Sequence, residues 1–358
     1  GKIEGDTTWV SLPDLRVVTP NSQLKASLTA DFSAFQPTGK GRFSLKGQTS
    51  IGMVDVLAVL KPHVSATQYR QMAEMSWKLM GGNPIEVQVT AEGNMRHLAV
   101  QRATLGVSGL AQVALDGFVR NAMDKGRSGT FNFSFRSQSS QRIRPLLPHD
   151  LAQTFQLPDG LAALGHLQFD GTDYRTNVTL QHAQGQIFTR AKLNTETERY
   201  DVEVNVNKFP LHHFLKEQPI TPFTGSFGFH GQGFSPLAVR TNLQASANIR
   251  SLRYDRYPLD GIQFKAALRG THALVSFSAK NPLIEGRGSI DAHLNHRYMA
   301  AVDVQLDKLD LRRLTGMPDT LTFGGSFKGN FEASTDMKRM KAKGAMRQLR
   351  LIAPKRAI

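Results

Sequence analysis

Apolar and polar side chains take turns along most of this chain, and that period of two limits what it can fold into. Ile85, Val87 and Val89 alternate with Glu86, Gln88 and Thr90. Phe131, Phe133 and Phe135 alternate with Asn132 and Ser134; Val202, Val204 and Val206 alternate with Asp201, Glu203 and Asn205. Val302, Val304 and Leu306 alternate with Asp303 and Gln305. Such stretches are strands with one apolar and one polar face, and short connections between them predict antiparallel meanders. Four Asp-Gly pairs, at Asp116, Asp159, Asp170 and Asp260, supply tight-turn chemistry.

Helical signals are sparse. Tyr69, Met72, Met75, Leu79 and Met80 form an apolar side over Thr67 to Met80, which Gly81-Gly82 ends; a shorter segment, Met53 to Leu60, precedes it. The connections Gln141–Phe155, Phe209–Gln218 and Leu309–Leu314 have room for a helical turn or two, and the prolines of the first two oppose longer helices. At one strand per 8–12 residues the chain predicts roughly 25 strands. Too few helices remain to cover their apolar faces. Either two sheets pack together, or one long sheet curls so that its apolar face lines a groove.

A long internal repeat favours the second arrangement. Arg199 to Gly233 is written again from Arg297: Arg199-Tyr200 matches Arg297-Tyr298, 98 residues on, and Gly225-Ser226-Phe227 matches Gly325-Ser326-Phe327, 100 residues on. Shorter words recur at Gly41 (GRFSLKG) and Gly165 (GHLQFDG), at intervals of 124, 60 and 100 residues. Each repeat is a unit that needs neighbours to bury its apolar face, and the irregular spacing opposes a propeller or tight solenoid. The expected fold is therefore all-β with few helices: an elongated antiparallel sheet curled into an open apolar groove. The expected organisation is residues 1–150, with a helical insert at about 53–80, continuous with residues 151–358, which carry the 100-residue period.

The groove would be lined by Phe43, Leu45, Val87, Val89, Phe131, Phe133, Val202, Val204, Val206, Phe227, Phe229, Val302, Val304 and Leu306. An apolar face without a protein cover calls for an apolar partner, and acyl chains fit that need. The plainer reading of the same residues is a buried core. The formal net charge of +15 favours anionic partners. Basic residues recur at the module joints, and Arg142, Arg144, Arg253, Arg256, Arg312 and Arg313 are candidate headgroup contacts; a solvated surface is the alternative. The aromatic residues alternate on the apolar side and do not form stacking platforms beside the charges, which argues against nucleic acid.

No catalytic motif holds. Gly106-Val107-Ser108-Gly109 lacks a nucleophile elbow's second glycine, and Gly286-Arg287-Gly288 lacks a third glycine and a following helix. There is no cysteine, which excludes disulfides and thiolate metal sites. His293 and His296 fall on opposite sides of a strand and His212-His213 are neighbours, so neither pair is assigned a metal. We expect no enzyme activity, no cofactor and no metal.

The words GSFGFHGQG, LQASANIRSLRYDRYPLDGIQFKAAL, GRGSIDAHL and RYMAAVDVQLDKLDLRRL, with the step Tyr254-Asp255-Arg256-Tyr257-Pro258-Leu259, resemble the β-rich repeats of the TamB type within the AsmA-like superfamily. The likeness covers residues 20 to 350, and 160 to 332 most closely. It implies a periplasmic bridge between the inner and outer membranes of a diderm bacterium, carrying phospholipid and contributing to outer-membrane biogenesis. Membrane attachment would then lie in regions outside this sequence, which reads as an internal piece of a longer protein. Two alternatives are a scaffold that works with an outer-membrane assembly protein, and a glycan-binding or structural surface repeat protein.

Overall fold

In the computed structural model the described residues are 2–353, except 38, 140–141, 143–154, 216, 236–237, 239, 296, 317–320 and 337. The chain divides into two compact units: Gly1–Ala183 with His213–Lys216, and Gln184–His212 with Glu217–Ile358. Both are antiparallel meanders in which sequence neighbours pair.

The first unit holds β1 (Glu4–Gly5), β2 (Trp9–Val18), β3 (Gln23–Asp31), β4 (Phe43–Ile51), β5 (Ile85–Gly93), β6 (His97–Val107), β7 (Ala111–Arg120), β8 (Ser128–Ser137), β9 (Ala162–Asp170) and β10 (Asp173–His182). Between β4 and β5 stand α1 (Met53–Leu60) and α2 (Ala66–Met80). Ser65 caps α2: its hydroxyl accepts from the Gln68 amide at 3.3 Å, and the Gln68 side chain accepts from the Ser65 amide at 3.0 Å. Gly81 ends the helix at φ 56°. Asp55, in the first turn of α1, accepts from Thr19, Ser22 and Asn21, which binds this helical insert to the β2–β3 turn.

The second unit holds β11 (Gly185–Asn194), β12 (Arg199–Phe209), β13 (Phe223–Gln232), β14 (Asn242–Ser251), the small hairpin β15 (Arg253–Tyr254) with β16 (Tyr257–Pro258), β17 (Ile262–Arg269), β18 (His272–Lys280), β19 (Ile284–Leu294), β20 (Arg297–Asp310), β21 (Thr322–Ser334) and β22 (Met340–Ile352), with α3 (Leu311–Thr315) after β20. The sequence repeat is visible as a structural one. The β12–β13 pairing slips between Val206 and Phe209, and the β20–β21 pairing slips between Leu306 and Leu309, 100 residues on. Each slip is followed by a helical turn, Leu211–His213 or α3, and by the matching pairs Phe209 with Phe223 and Leu309 with Phe323. A bulge adds one residue to a strand and redirects it, so its repetition marks one supersecondary device used twice.

The expected curl is not there. In neither unit is the sheet closed or strongly curled, and the apolar groove does not form. Three cavities of the second unit, of about 520, 660 and 380 Å³, open on the polar face instead. The first, for example, is lined by Gln263, Lys265, Ser276, Arg287, Asp303 and Gln305. Alternation assigns side chains to faces and carries no information on how far a sheet bends, so the step from a one-sided face to a groove lacked a residue to specify it.

Two local expectations also change. Asp116-Gly117 is no turn: Gly117 lies inside β7 opposite Phe131. Only Asp170-Gly171, of the four Asp-Gly pairs, sits in a tight two-strand hairpin, with Gly171 at φ 57° between β9 and β10. Most of the Gln141–Phe155 connection lies outside the described residues.

The buried residues gather near the strand ends. Val206, Phe209 and Phe223 are 4%, 3% and 6% exposed, and Ala30, Ala34, Leu79 and Leu161 are buried in the first unit. Several of the longer connections leave the same edge within each unit, although 32–42 and 233–241 leave the opposite one. In the first, α1–α2 follow β4 and the 138–161 segment follows β8; in the second, the Leu211–His213 turn follows β12, β15–β16 follow β14, and α3 follows β20. All of these leave even-numbered strands, which run in the same direction within a unit's meander.

Candidate functional site: an uncovered apolar sheet face

Residues directly opposite in an antiparallel pair share a face, so the register traces each face across its unit. In the first unit Phe43 pairs with Gly93, Leu45 with Ala91, Gly47 with Val89 and Thr49 with Val87. The trace runs on through Val87 and Leu105, Leu105 and Val113, and Val113 and Phe135. Phe43, Leu45, Val87, Val89, Phe131 and Phe133 therefore lie on one face. In the second unit Val202 pairs with Phe229 and Val204 with Phe227. The trace crosses Phe229 with Ala245, Ala245 with Ala266, Ala266 with Val275, Val275 with Ile290, and Ile290 with Val302. Val202, Val204, Val206, Phe227, Phe229, Val302, Val304 and Leu306 share that face. The bulges at Val206/Phe209 and Leu306/Leu309 leave apolar residues on the same side at both ends of the slip.

The face is paved in a particular way. Glycines stand beside phenylalanines, and the rings lie over them. A Cβ on Gly165 would meet the Phe133 ring first, at three ring carbons. A Cβ on Gly129 would come within 2.9 Å of the Phe169 ring, and on Gly329 or Gly344 within 2.6 Å of the Phe327 ring. Gly288 is covered by Phe277 in the same manner. Each ring shields backbone that glycine would leave bare, as aromatic residues do for glycines in sheets. Most of these rings come from a neighbouring strand, as with Gly165 and Phe133 or Gly288 and Phe277, so the pairs form through register and not through spacing along the chain.

Among the described residues, the strands in close backbone contact are neighbours in the meander. Loop residues cover the faces only near strand ends, where Phe35 stacks on Phe43 and Phe234 on Tyr200. Most apolar side chains of the face remain half-buried, with Val113, Phe229, Phe264 and Phe331 exposed. The buried-core reading thus applies only at the strand ends. Val206 belongs to one of those ends, and at 4% exposure its side chain is not part of the accessible surface.

The basic candidates have separate fates. Arg142 packs its guanidinium over Gly81 and Gly109, at the end of α2, with Nη1 buried. Arg144 lies outside the described residues. In the second unit, Arg256 reaches α3: its Nη2 donates to the Leu314 carbonyl at 3.3 Å and to the Tyr257 hydroxyl at 3.0 Å, while that hydroxyl donates to the same carbonyl at 3.2 Å. The Tyr257 contact pushes the Arg256 pKa above its already high ordinary value, so the charge is permanent. Arg256 therefore meets the end of the helix that carries Arg312 and Arg313. Arg313 is held by Asp310 at 3.3 Å, and Arg253 is exposed at the start of the neighbouring hairpin. Arginines from two sequence-distant joints thus share one edge of the second unit.

The histidines differ from their sequence reading. His296 lies outside the described residues, and His213 meets His182 at 2.8 Å. His293 pairs across strands with His272, which the sequence reading did not consider. Spacing along the chain could not show that partner, because 21 residues and a hairpin separate the two.

No protein-family model, curated protein or solved structure matches this chain. Among the described residues no helix is long and apolar enough to cross a membrane.

Proposed function

We propose that this chain is a non-enzymatic phospholipid-carrying segment of a bacterial envelope protein, with the open apolar face of its sheets taking the acyl chains. The observation that supports this reading is the apolar face that the register carries from β4 to β8 in the first unit and from β12 to β20 in the second, with most of its side chains only half-buried. Such a surface lowers its free energy by meeting hydrocarbon. The arginines on one edge of the second unit, within a chain of net charge +15, suit the phosphate of a headgroup. The resemblance to TamB-type repeats supports the same assignment and adds a place for it: the periplasm, between the two membranes, with inner- and outer-membrane attachment supplied by regions beyond this sequence.

The test is photocrosslinking of phospholipid to probes placed on the apolar face and on the polar face. Probes at Val204 and Val304 should capture lipid; probes at Glu203 and Asp303, on the opposite side of the same strands, should not. Equal capture on both faces, or none at Val204 and Val304, rejects the reading. Val304→Asp should lower capture at neighbouring Phe327, because a carboxylate is costly against hydrocarbon.

A second reading rests on β22. All of its residues are exposed, it pairs only with β21 among the described residues, and it carries Lys341, Lys343, Arg347 and Arg350 on one side. Such an edge accepts a further strand. An outer-membrane assembly partner would then dock there by strand addition. Protection of β22 amides from exchange by an acidic client strand, with no lipid captured on the face, would favour this reading over the first.

A further inference from the structure

The polar face of the second unit carries one constellation that neither the sheet nor the lipid reading requires. His272 opens β18 and stands directly opposite His293 on β19. Asp291 is two residues before His293, so it projects from the same face. His272 Nε2 lies 2.7 Å from Asp291 Oδ1, and His293 Nδ1 lies 3.8 Å from the same oxygen. The two imidazoles stack with centroids 4.5 Å apart and planes 27° from parallel. One ligand atom from each residue falls within 4.8 Å of the others.

We propose that His272, Asp291 and His293 bind a divalent transition ion of the zinc type. Two imidazole nitrogens and one carboxylate oxygen are the donor set of borderline cations; calcium and magnesium prefer all-oxygen sites. Tetrahedral bonds of 2.0–2.1 Å place ligand atoms about 3.3 Å apart. The observed 2.7 and 3.8 Å bracket that spacing, and the remaining pair lies within 4.8 Å, so the two imidazoles must turn out of their stack to converge on one ion. Rigid strands supply the spacing: a direct cross-strand pair brings two histidines together, and the diagonal position adds the carboxylate. The fourth position is left to water. A cavity of about 660 Å³ adjoins the cluster, lined by Asp291, His293, Met299 and Asn330, and gives the ion a way in from solvent. Glu332, on the far side of that cavity, is already paired with Arg297 and is not counted as a ligand.

The site is independent of the apolar face, which lies on the other side of the same strands. Its sequence signature is a histidine just after a hairpin turn (Gly270-Thr271-His272) followed by Asp-X-His near the end of the next strand. Only the register makes those words one site.

The experiment uses the full chain without a histidine tag. It is titrated with Zn²⁺ by calorimetry, and with Co²⁺ to read the visible bands of a tetrahedral nitrogen–oxygen site. The expected result is one saturable equivalent with such a spectrum. His272→Gln, His293→Gln and Asp291→Asn should each weaken binding at least about tenfold, as loss of a directly bound donor should exceed the effect of losing an outer partner. These positions are half-buried or exposed, and the substitutes keep hydrogen-bonding capacity, so the sheet is expected to persist by circular dichroism. Absence of saturable binding to the unmodified chain overturns the proposal, as does undiminished binding in the His272→Gln/His293→Gln double variant. In that case the three residues are a hydrogen-bonded surface cluster only.

Discussion

The paving of the apolar face can be tested at Gly165. Its backbone lies in a region open to any residue, since φ is not positive there, and the three atoms nearest a Cβ all belong to the Phe133 ring. Cε1 and Cε2 would each stand 2.5 Å from the new carbon. Ordinary carbon–carbon contact is about 3.5–4.0 Å, so the ring must retreat by roughly 1 Å or more. A displacement of that size takes the ring off its rotamer or lifts it from the sheet, at a cost of about 1–3 kcal/mol. Replacing glycine by alanine also stiffens the unfolded chain, which offsets about 0.4–1 kcal/mol. Gly165→Ala should therefore destabilise the first unit by about 1–2 kcal/mol.

Gly47 provides the control on the same face. A Cβ there would reach Val89 at 3.4 Å, an ordinary contact, so Gly47→Ala should be neutral or slightly stabilising. A Phe133→Leu background removes the ring, and in it Gly165→Ala should lose most of its cost, with a coupling of about 1 kcal/mol. Urea unfolding followed by tryptophan fluorescence is suited to the measurement, because both tryptophans, Trp9 and Trp77, belong to the first unit. If Gly165→Ala and Gly47→Ala shift the midpoint equally, or if the cost persists without the Phe133 ring, the rings do not rest on the glycines as described.

Three further outcomes are expected. Ser65→Ala should remove the α2 cap and weaken that helix by about 1 kcal/mol, seen as roughly fivefold faster amide exchange over its first turns. Asp55 has its pKa lowered, first by the Ser22 hydroxyl and next by that of Thr19. Its contribution is then present above the ordinary carboxylate pKa and lost as pH falls through the lowered folded value; acidification should loosen α1–α2 in the native chain, whereas Asp55→Asn should loosen them at neutral pH and remove this part of the acid response, both read from Trp77 fluorescence. Val304→Asp should cost only about 1–2 kcal/mol of stability in a chemical melt, because the side chain it replaces is half-buried on an open face, and a loss several times larger would indicate a closed core at that position.

The sequence was most legible where one residue's pattern decides one local feature. Alternation placed Val202, Val204 and Phe227 on a shared side, because the period of a strand leaves no other choice once the register is set. Gly81-Gly82 marked the end of α2, and Leu309–Leu314 marked a helical turn, through backbone preferences that act within a few residues. Legibility fell where the outcome depends on many strands at once. Curvature is the sum of small twists, bulges and side-chain volumes across a sheet, and no single alternating stretch encodes it; hence the groove was expected and an open face was found. The glycine words were visible as repeats, but their physical role was not, since Gly165 is covered by a ring from the preceding strand rather than by a sequence neighbour. The same holds for His272 and His293. A turn of known length would have placed them opposite each other, whereas the three-residue connection of β18 to β19, Asn281 to Leu283, in which the Leu283 and Ile284 amides donate to the Asn281 side-chain oxygen, has no unambiguous signature in the chain. What a strand sequence specifies is therefore a set of faces, and which chemistry appears on a face is settled by register. For a meander of this kind the informative sequence unit is the hairpin, with its turn and both strands read together. Reading β18 and β19 in that way puts two imidazoles and a carboxylate on one surface and Phe277 over Gly288 on the other, so a single register shift at this hairpin would dismantle both the proposed metal site and the local paving of the apolar face.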